Sequence, residues 1–211
     1  MIRHFPTAVA LFIGLTFAVD AMAGPRVYLE VSPGVSVLSG SDIRGSGSSP
    51  NFKANFDVGY VFGAAVGFRL YEDFRIEVNA SYRNTAIEKN GLGVGGRILL
   101  FSVMTNVYYD IDFGIPIKPY LGVGIGNGFV DVDILERSGT SVSNNKTTQF
   151  AWNVMAGIGY ALSENFDLSA GYRYLGTTDA KFDAVFEDTD AGTFDVEIDF
   201  HEFLLGLRYT F

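Results

Sequence analysis

The sequence predicts an all-β protein, an eight-stranded antiparallel up-and-down barrel that crosses a membrane. Three observations predict this fold class. Apolar and polar residues alternate along eight segments, short and long links between the segments alternate, and charged residues keep to one face of each segment. Alternation marks a strand because successive side chains point to opposite sides of a sheet. In a transmembrane barrel the apolar face meets lipid and the polar face lines the interior.

The N-terminus has the features of an export signal rather than of a strand. A basic start precedes an apolar run over 8–19, and Ala21 and Ala23 then supply small residues at cleavage positions. The run is too short to cross a bilayer as a helix, which needs about twenty residues. The sequence therefore predicts a signal peptide over 1–23 and a transmembrane β-barrel domain over 24–211.

The closing segment shows the strand pattern most simply. Counted back from Phe211 to Phe203, every second residue is apolar, while the other face carries Glu202 and Arg208. Seven earlier segments share this polarity, and their length of about ten or more residues suits a tilted crossing of a bilayer. The predicted strands are, in order, 26–37, 56–70, 74–83, 97–111, 118–129, 148–162, 166–176 and 201–211.

The links between the predicted strands are of two kinds. A membrane barrel has this asymmetry because tight periplasmic turns lie at one end and longer extracellular loops at the other. A secreted β-sandwich, the alternative all-β fold, has no reason to sort its links in this way. The short turns are predicted near 71–73, 112–116 and 163–165, and the four long loops over 38–55, 84–96, 131–147 and 177–199.

Aromatic residues gather at both ends of the apolar faces. Girdles of this kind mark the two boundaries between water and lipid. The turn-end girdle is predicted to contain Phe68, Phe74, Tyr160, Phe166 and Phe211, and the loop-end girdle Phe56, Tyr82, Phe150 and Trp152.

Charged residues on the strands fall on the face that would line the interior. Eight strands leave an interior just wide enough for side chains to fill, and an unpaired charge there is costly. We expect Glu30 to pair with Arg208 or Arg69. We also expect Glu202 to pair with Arg173. The alternative is a gate whose ion pairs break to pass small ions. The predicted lumen charge network is Glu30, Arg69, Arg75, Glu77, Arg83, Arg173, Glu202 and Arg208.

Two glycine patterns have structural explanations. The segment 91–96 matches G-x-G-x-x-G, but a dinucleotide site needs a strand before the motif and a helix after it. Here the segment is a loop that enters a strand. Glycines also occupy alternate positions over 122–128, which places them on the interior face. We expect them to make room there for long side chains opposite, such as Arg75 or Arg83.

The residue inventory argues against catalysis. The chain has no cysteine, so a thiol nucleophile, a thiolate zinc site and a disulfide framework are excluded. An enzyme needs a nucleophile beside a base, or an acid pair in a cleft. Past the signal peptide the one histidine is His201, and it has no serine among its neighbours in sequence. We therefore expect no catalytic residue and no cofactor, and we expect His201 at the outer rim.

The fourth loop is strongly acidic. It holds eight acids against Lys181 alone, about −7 of the chain's net charge of −9. The simpler interpretation is a solvated loop that keeps the surface soluble. The second is divalent cation binding by clustered carboxylates. An acidic chain without a basic patch argues against nucleic acid as a partner. The cation candidates are Asp188, Asp190, Asp195 and Glu197.

The mature chain also resembles a known family. The terminal Phe211, the run NVYYDI over 106–111 and the following IKPYLGVGIG over 117–126 resemble eight-stranded outer membrane β-barrel proteins of the Opa, Omp25 and Msp4 surface-antigen type. These share the OmpA-like barrel of porin-family proteins. The resemblance implies a place in the outer membrane of a Gram-negative bacterium, among membrane lipids and lipopolysaccharide. It also implies insertion by the barrel-assembly machinery with periplasmic chaperones, with Phe211 as the recognition residue.

Two functional interpretations follow from the residues and the resemblance. The first is a structural surface protein whose extracellular loops act as an adhesin or antigen and contact a host or matrix ligand. The second is a narrow porin-like channel for small ions or solutes. The residues of the loops do not identify a receptor, because loops on a common scaffold carry that information without a readable code.

Overall fold

In a computed structural model the chain forms a closed barrel of eight strands, with four shorter strands in a second sheet. The predicted fold class is confirmed. The structure describes residues 26–39, 42–45, 52–53, 58–71, 73–87, 95–135, 141–178, 180–186, 189–196 and 199–211. The strands are β1 (Arg26–Leu38), β2 (Asp42–Gly45), β3 (Phe52–Lys53), β4 (Val58–Arg69), β5 (Phe74–Ile87), β6 (Gly95–Asp110), β7 (Ile117–Leu135), β8 (Ser141–Ala161), β9 (Phe166–Thr177), β10 (Ala180–Phe186), β11 (Thr189–Val196) and β12 (Asp199–Thr210).

The first and last strands close the barrel. Its order is β1-β12-β9-β8-β7-β6-β5-β4, with β4 returning to β1, and all neighbouring pairs are antiparallel. Across the closing seam Glu30 lies opposite Arg208, and Val37 lies opposite His201. Because the sheet closes on itself, the barrel has no free strand edge whose backbone groups would face lipid.

Side chains alternate between a filled interior and an apolar outer wall. In β4 the buried Val61 stands between the exposed Tyr60 and Phe62. In β12 Glu202 is 0% exposed, whereas Leu205 is 67% exposed. Large apolar side chains thus cover the outside of the barrel, the reverse of a water-soluble sandwich.

Rings meet at both ends of this apolar wall. Phe166 and Tyr209 lie 4.9 Å apart between ring centroids at the turn end, and Tyr209 lies 5.0 Å from Phe211. Trp152 and Tyr174 are 5.4 Å apart at the loop end. The aromatic residues predicted for the two girdles are exposed wherever they are described. Phe56 of the predicted loop-end girdle lies outside the described residues.

The third of the four predicted long loops is wrong, and the alternation of short and long links does not hold there. The polar segment 131–147 is mostly strand, because β7 continues to Leu135 and β8 begins at Ser141. These extensions pair with each other, with an irregularity between Ile134 and Leu135. A strand that extends beyond the membrane meets water on both faces, so it does not need an apolar face. The periodicity of the sequence therefore ends before the hydrogen-bonded ladder does.

The first and fourth loops contain strands that pair with each other. The second sheet has the order β10-β11-β2-β3. Asp195 of β11 lies opposite Arg44 of β2, and Phe194 lies opposite Gly45. We expected both segments to be irregular. The pairing joins residues that are far apart in the sequence, so no local pattern could indicate it.

The N-terminal boundary stays a prediction. The expected signal peptide over 1–23 lies outside the described residues, so the start of the domain at 24 is untested. Among the residues that the structure describes, none belongs to a helix long and apolar enough to span a membrane.

Asp112 organises the turn between β6 and β7. Its Oδ1 accepts a hydrogen bond from the backbone N–H of Gly114 at 2.7 Å, and its Oδ2 lies 2.5 Å from Lys118 Nζ. Gly114 has a φ of 71°, a conformation that favours glycine. The Lys118 ammonium, followed by the Gly114 N–H, lowers the pKa of the Asp112 carboxyl below its ordinary value.

We predict that Lys118→Met raises the pKa of Asp112 but leaves it below the ordinary value, because the Gly114 N–H remains. A carboxylate with a lowered pKa stabilises the folded state above about pH 4, and this contribution is lost as the pH falls through the folded-state pKa. In Lys118→Met the contribution is smaller and its loss is complete at a higher pH. Carboxyl carbon NMR of the refolded protein measures the shift. An unchanged Asp112 titration in this variant would contradict the turn geometry.

Two glycines of β8 lie two positions apart on the interior face in different surroundings. A Cβ on Gly157 would come within 2.5 Å of the Ala170 carbonyl oxygen and of the Tyr120 ring. A Cβ on Gly159 would meet nothing closer than the Lys118 carbonyl oxygen, at 3.6 Å. The two positions therefore form a matched pair for testing how tightly the interior is packed.

We predict that Gly157→Ala destabilises the barrel by about 1–3 kcal/mol, the usual cost of overpacking. Gly159→Ala is neutral or slightly stabilising, because alanine loses less backbone entropy than glycine on folding. Urea unfolding of the protein in lipid vesicles, followed by tryptophan fluorescence of Trp152, measures both. Equal stability of the two variants would show that the interior beside Gly157 is looser than described.

Candidate functional site

The extracellular half of the barrel interior is filled by an apolar layer. Phe200, Leu175 and Leu100 are 0% exposed in it. The expectation that charges replace an apolar core is therefore wrong for this half of the lumen. The sequence does contain a signal for this layer, because Leu100 of β6 and Val130 of β7 are apolar residues at inward positions near the loop ends. We call this layer the apolar plug, and its members are Leu38, Ile98, Leu100, Met104, Val130, Ala151, Leu175 and Phe200.

On the turn-end side of the apolar plug, a single carboxylate forms ion pairs with two arginines. Glu202 Oε2 accepts a hydrogen bond from Arg173 Nε at 2.5 Å, and Oε1 accepts one from Arg83 Nε. Arg83 also donates from Nη1 to Ser102 Oγ at 2.8 Å. Arg173 lies opposite Glu202 on the neighbouring strand β9, as expected from strand order. Arg83 reaches Glu202 from β5 across the lumen, and strand order alone did not predict that contact.

A second group of ion pairs lies nearer the turn end of the lumen. Arg75 donates from Nε and Nη2 to the two carboxylate oxygens of Asp110, at 2.7 and 2.9 Å. Arg69 Nη2 lies 3.7 Å from the same carboxylate. Asp110 was absent from the predicted network, although it has the inward parity of its strand. This bidentate contact is among the stronger forms of ion pair.

Glu30 completes the turn-end group with Arg208. Arg208 Nη2 lies 2.7 Å from Glu30 Oε2, and Nη1 lies 3.8 Å from Asp167 Oδ2. Of the two partners expected for Glu30, only Arg208 contacts it. The register explains this, since Glu30 lies opposite Arg208 on one side and opposite Ala65 on the other. Arg69 is four residues further along β4, roughly 13 Å away along a strand.

Glu77 is held by neutral donors. Its carboxylate accepts hydrogen bonds from the hydroxyls of Tyr28 and Tyr108, each at 2.9 Å, and from Asn106 Nδ2 at 3.1 Å. No arginine or lysine of the described residues forms an ion pair with it. Tyr28 reaches across Gly67, where a Cβ would lie 2.5 Å from the tyrosine ring. Glu77 thus departs from the expectation that every lumen carboxylate pairs with a cation.

The glycines of β7 make room for side chains of β6. The expectation that they accommodate Arg75 or Arg83 is wrong, because those arginines lie on β5, one strand further away. The register places Tyr108 opposite Gly122 and Asn106 opposite Gly124. A Cβ on Gly122, Gly124, Gly126 or Gly128 would meet, in that order, Tyr108, Asn106, Met104 or Leu100.

Aromatic rings surround the Arg75 guanidinium. Its central carbon lies 4.4 Å from the Tyr108 ring centroid, 5.5 Å from that of Tyr120 and 5.9 Å from that of Tyr28. These distances allow cation–π attraction. Between the ion pairs and these rings, the interior retains a cavity of about 20 Å³. A space of this size admits about one water molecule and does not admit a hydrated ion.

The structure describes His201 fully and the cation candidates of the fourth loop only in part. His201 lies on the outer wall, where its Nδ1 is 2.6 Å from the Tyr172 hydroxyl. The described ranges contain no group of three or more His, Asp or Glu side chains that could hold a metal ion. Asp188 and Glu197 lie outside the described residues, and only the backbone of Asp190 and Asp195 is described, in β11. Cation binding by the fourth loop therefore stays a prediction.

Comparisons with known proteins agree with this architecture. The family model "Outer membrane protein beta-barrel domain" matches residues 7–211. Outer membrane protein PagN of Salmonella typhimurium is 25% identical over 174 residues, which cover 71% of this chain and 72% of PagN. Major surface antigen 4 of Anaplasma marginale is 28% identical over 162 residues, which cover 64% of this chain and 51% of that protein. The crystal structure of OprG from Pseudomonas aeruginosa has a TM-score of 0.66 and 17% identity, covering 89% of this chain and 96% of OprG.

We predict that Glu202→Gln destabilises the barrel by about 3–5 kcal/mol, because it leaves two buried guanidinium groups without their carboxylate. Glu77→Gln is the matched control, since it removes a buried carboxylate that has no cationic partner and keeps an acceptor oxygen. Its cost is about 1–3 kcal/mol. Urea unfolding in vesicles compares the two variants. If Glu202→Gln lowered the free energy of unfolding no more than Glu77→Gln does, the shared carboxylate would not be a main source of stability in the lumen.

Proposed function

The chain belongs to the family of outer membrane β-barrel proteins, and from this membership we propose that it is a surface protein that makes contacts outside the cell through its extracellular loops. The barrel serves as a structural anchor, and the loops act as an adhesin or antigen toward a host or matrix ligand. The proposal includes no catalytic role.

The observation that carries this proposal is the second sheet, built from β10, β11, β2 and β3. Barrel closure does not require it, because all eight barrel strands are already paired with each other. Two loops that pair present a wider and more ordered surface than separate loops, and binding costs less entropy when the surface is preorganised. Major surface antigen 4 of Anaplasma marginale, to which the chain is similar, is by its name a surface protein, and this likeness supports a role at the cell surface.

The alternative function, a narrow channel, has less support. The apolar plug and the ion pairs fill the described lumen, and the cavity between them has a volume of only about 20 Å³. An ion would have to shed its water to pass buried side chains such as Phe200 and Leu100, which is expensive in an apolar layer. A filled interior suits a structural barrel better than a conducting one.

Export and assembly are part of the same proposal. We infer that the signal peptide over 1–23 directs the chain across the inner membrane of a Gram-negative cell. Periplasmic chaperones and the barrel-assembly machinery then receive it, with Phe211 as the recognition residue. Phe211 donates its backbone N–H to the Val27 carbonyl at 3.0 Å, and its side chain is 67% exposed. An exposed terminal ring at the turn end is accessible to such a machinery and lies among the lipids and lipopolysaccharide-bearing membrane after insertion.

We predict that replacing residues 180–196 by a glycine–serine segment of equal length abolishes adhesion, because it removes β10 and β11. A non-adherent laboratory bacterium that displays the protein is tested for binding to epithelial monolayers and to immobilised extracellular matrix. Replacement of 88–94, the second loop, is the matched control and is expected to keep most of the binding. Heat-modifiable gel mobility in the outer membrane fraction verifies that each variant forms a barrel.

Two outcomes would contradict the proposal. Adhesion that survives the loss of 180–196, or that is absent with the unmodified protein, would argue against a contact role of the second sheet. A large and stable conductance in planar bilayers would instead favour the channel.

A further inference from the structure

Strand β8 has a free edge on the extracellular side of the loop-end girdle. Its pairing with β7 continues to Ser141. On its other side the last hydrogen bond runs from the Thr178 N–H to the Phe150 carbonyl, at 3.0 Å. The chain then enters β10, which pairs with β11 and not with β8. Among the described strands, residues 141–149 of β8 are therefore paired on one side alone, over roughly 30 Å of strand.

The alternation of hydrogen bonds identifies the backbone groups at this edge. In an antiparallel pair every second residue directs its N–H and C=O toward the partner strand, and the residues between direct theirs to the opposite side. Phe150 bonds to the β9 side, so the even-numbered residues of β8 face that side and the odd-numbered ones face β7. Asn144, Lys146 and Thr148 therefore present N–H and C=O groups that no described strand binds.

Little in the sequence of this edge would keep another chain away. Unpaired backbone groups at a sheet edge are a template for pairing, and proteins usually block them with charges, prolines or very short edge strands. Residues 141–149 contain no proline and carry a single charge, on Lys146. Thr148 is exposed to solvent. The edge is thus long, polar and open to a further strand.

We propose, on the basis of the contact role proposed above, that the β8 edge binds an extended segment of a host or matrix protein as an added strand. The free N–H and C=O groups recur at every second residue, roughly 6.8 Å apart. The main chain of another strand has the same repeat and supplies both donors and acceptors. In strand addition of this kind the main-chain hydrogen bonds provide the affinity. The occupant is therefore a polypeptide.

Charge favours a basic segment over a second copy of this chain. The chain that leaves the β8 edge at Thr178 holds eight acids over 177–199 against Lys181 alone. Opposite charges steer association, whereas like charges brought together disfavour a partner. A segment that contains lysine or arginine is attracted to this surface. A second copy would bring the same acidic segment and be repelled.

Two variants at one position test the strand addition. Asn144→Pro and Asn144→Ala both remove the asparagine side chain, but only proline removes the N–H at the free edge. The ladder with β7 is kept, because proline is tolerated where the N–H of an edge strand faces solvent. Binding of the purified barrel in lipid nanodiscs to immobilised extracellular matrix is measured. We expect Asn144→Ala to bind like the unmodified protein and Asn144→Pro to bind about tenfold more weakly, the effect of one lost hydrogen bond.

Amide hydrogen exchange of the unmodified protein tests the free edge without any variant. We expect the amides of Asn144, Lys146 and Thr148 to exchange faster than those of Asn145 and Thr147, which bond to β7. Equal protection of the two sets would show that the edge is covered and would overturn the proposal.

Treatment of the matrix identifies the class of the occupant. We expect trypsin digestion of the matrix to abolish binding and periodate oxidation of its sugars to leave binding intact. Binding that is lost with periodate and survives trypsin would assign the site to a glycan and overturn the proposal. Stronger binding to a surface coated with the protein itself would do so in favour of a second copy.

Failure of this inference is distinguishable from failure of the proposed function. If the unmodified protein binds neither matrix nor epithelial monolayers, the contact role and the strand addition are both contradicted. If it binds and Asn144→Pro binds as well as Asn144→Ala, the contact role stands and the strand addition alone is wrong.

Discussion

The shared carboxylate of Glu202 is the interaction on which the interior of this barrel depends. A chain that turns its apolar side chains outward must fill its interior with the remaining residues, and many of these are charged. Glu202 connects strands on opposite sides of the lumen, because Arg173 lies on the neighbouring strand and Arg83 on β5. The carboxylate therefore holds the barrel walls together across the interior, a task that an apolar core performs in a soluble protein.

Glycine positions give the rest of the lumen its shape. Large interior side chains need space that only a residue without a Cβ leaves on the facing strand. Tyr28 reaches Glu77 across Gly67, and Tyr108 occupies the space beside Gly122. The abundance of glycine in this chain is thus a packing requirement, since each close approach allows a long polar side chain to find its partner in a narrow interior.

A filled lumen leaves the outer surface as the place for function. The apolar plug closes the extracellular half, and ion pairs occupy the half at the turn end. In this outer membrane barrel, variation in the loops does not disturb the supports of the barrel, because the lumen contacts come from the membrane-spanning strands. The second sheet of β10, β11, β2 and β3 is the part of the molecule best placed to carry a specific contact.

The sequence by itself determined the barrel, the inward face of each strand and most of the arginines and glutamates of the lumen. Strict alternation identifies strands, and the side with charges identifies the interior, because a charge facing lipid is too costly. Pairs on adjacent strands, such as Glu202 with Arg173, also follow from strand order. The resemblance to surface-antigen barrels agrees with the family that the comparisons found.

Only the tertiary structure decided the contacts that cross the lumen or join distant loops. Arg83 meets Glu202 because closure brings β5 toward β12, and Glu77 is satisfied by tyrosines rather than by an arginine. The sequence did not indicate the apolar plug because most of its members, such as Leu175 and Phe200, are single apolar residues on inward faces, and they meet only when six strands converge. The pairing of β2 with β11 is equally non-local. Alternation of apolar and polar residues indicates which face of a strand a side chain occupies. The partner of that side chain depends on how the whole sheet closes.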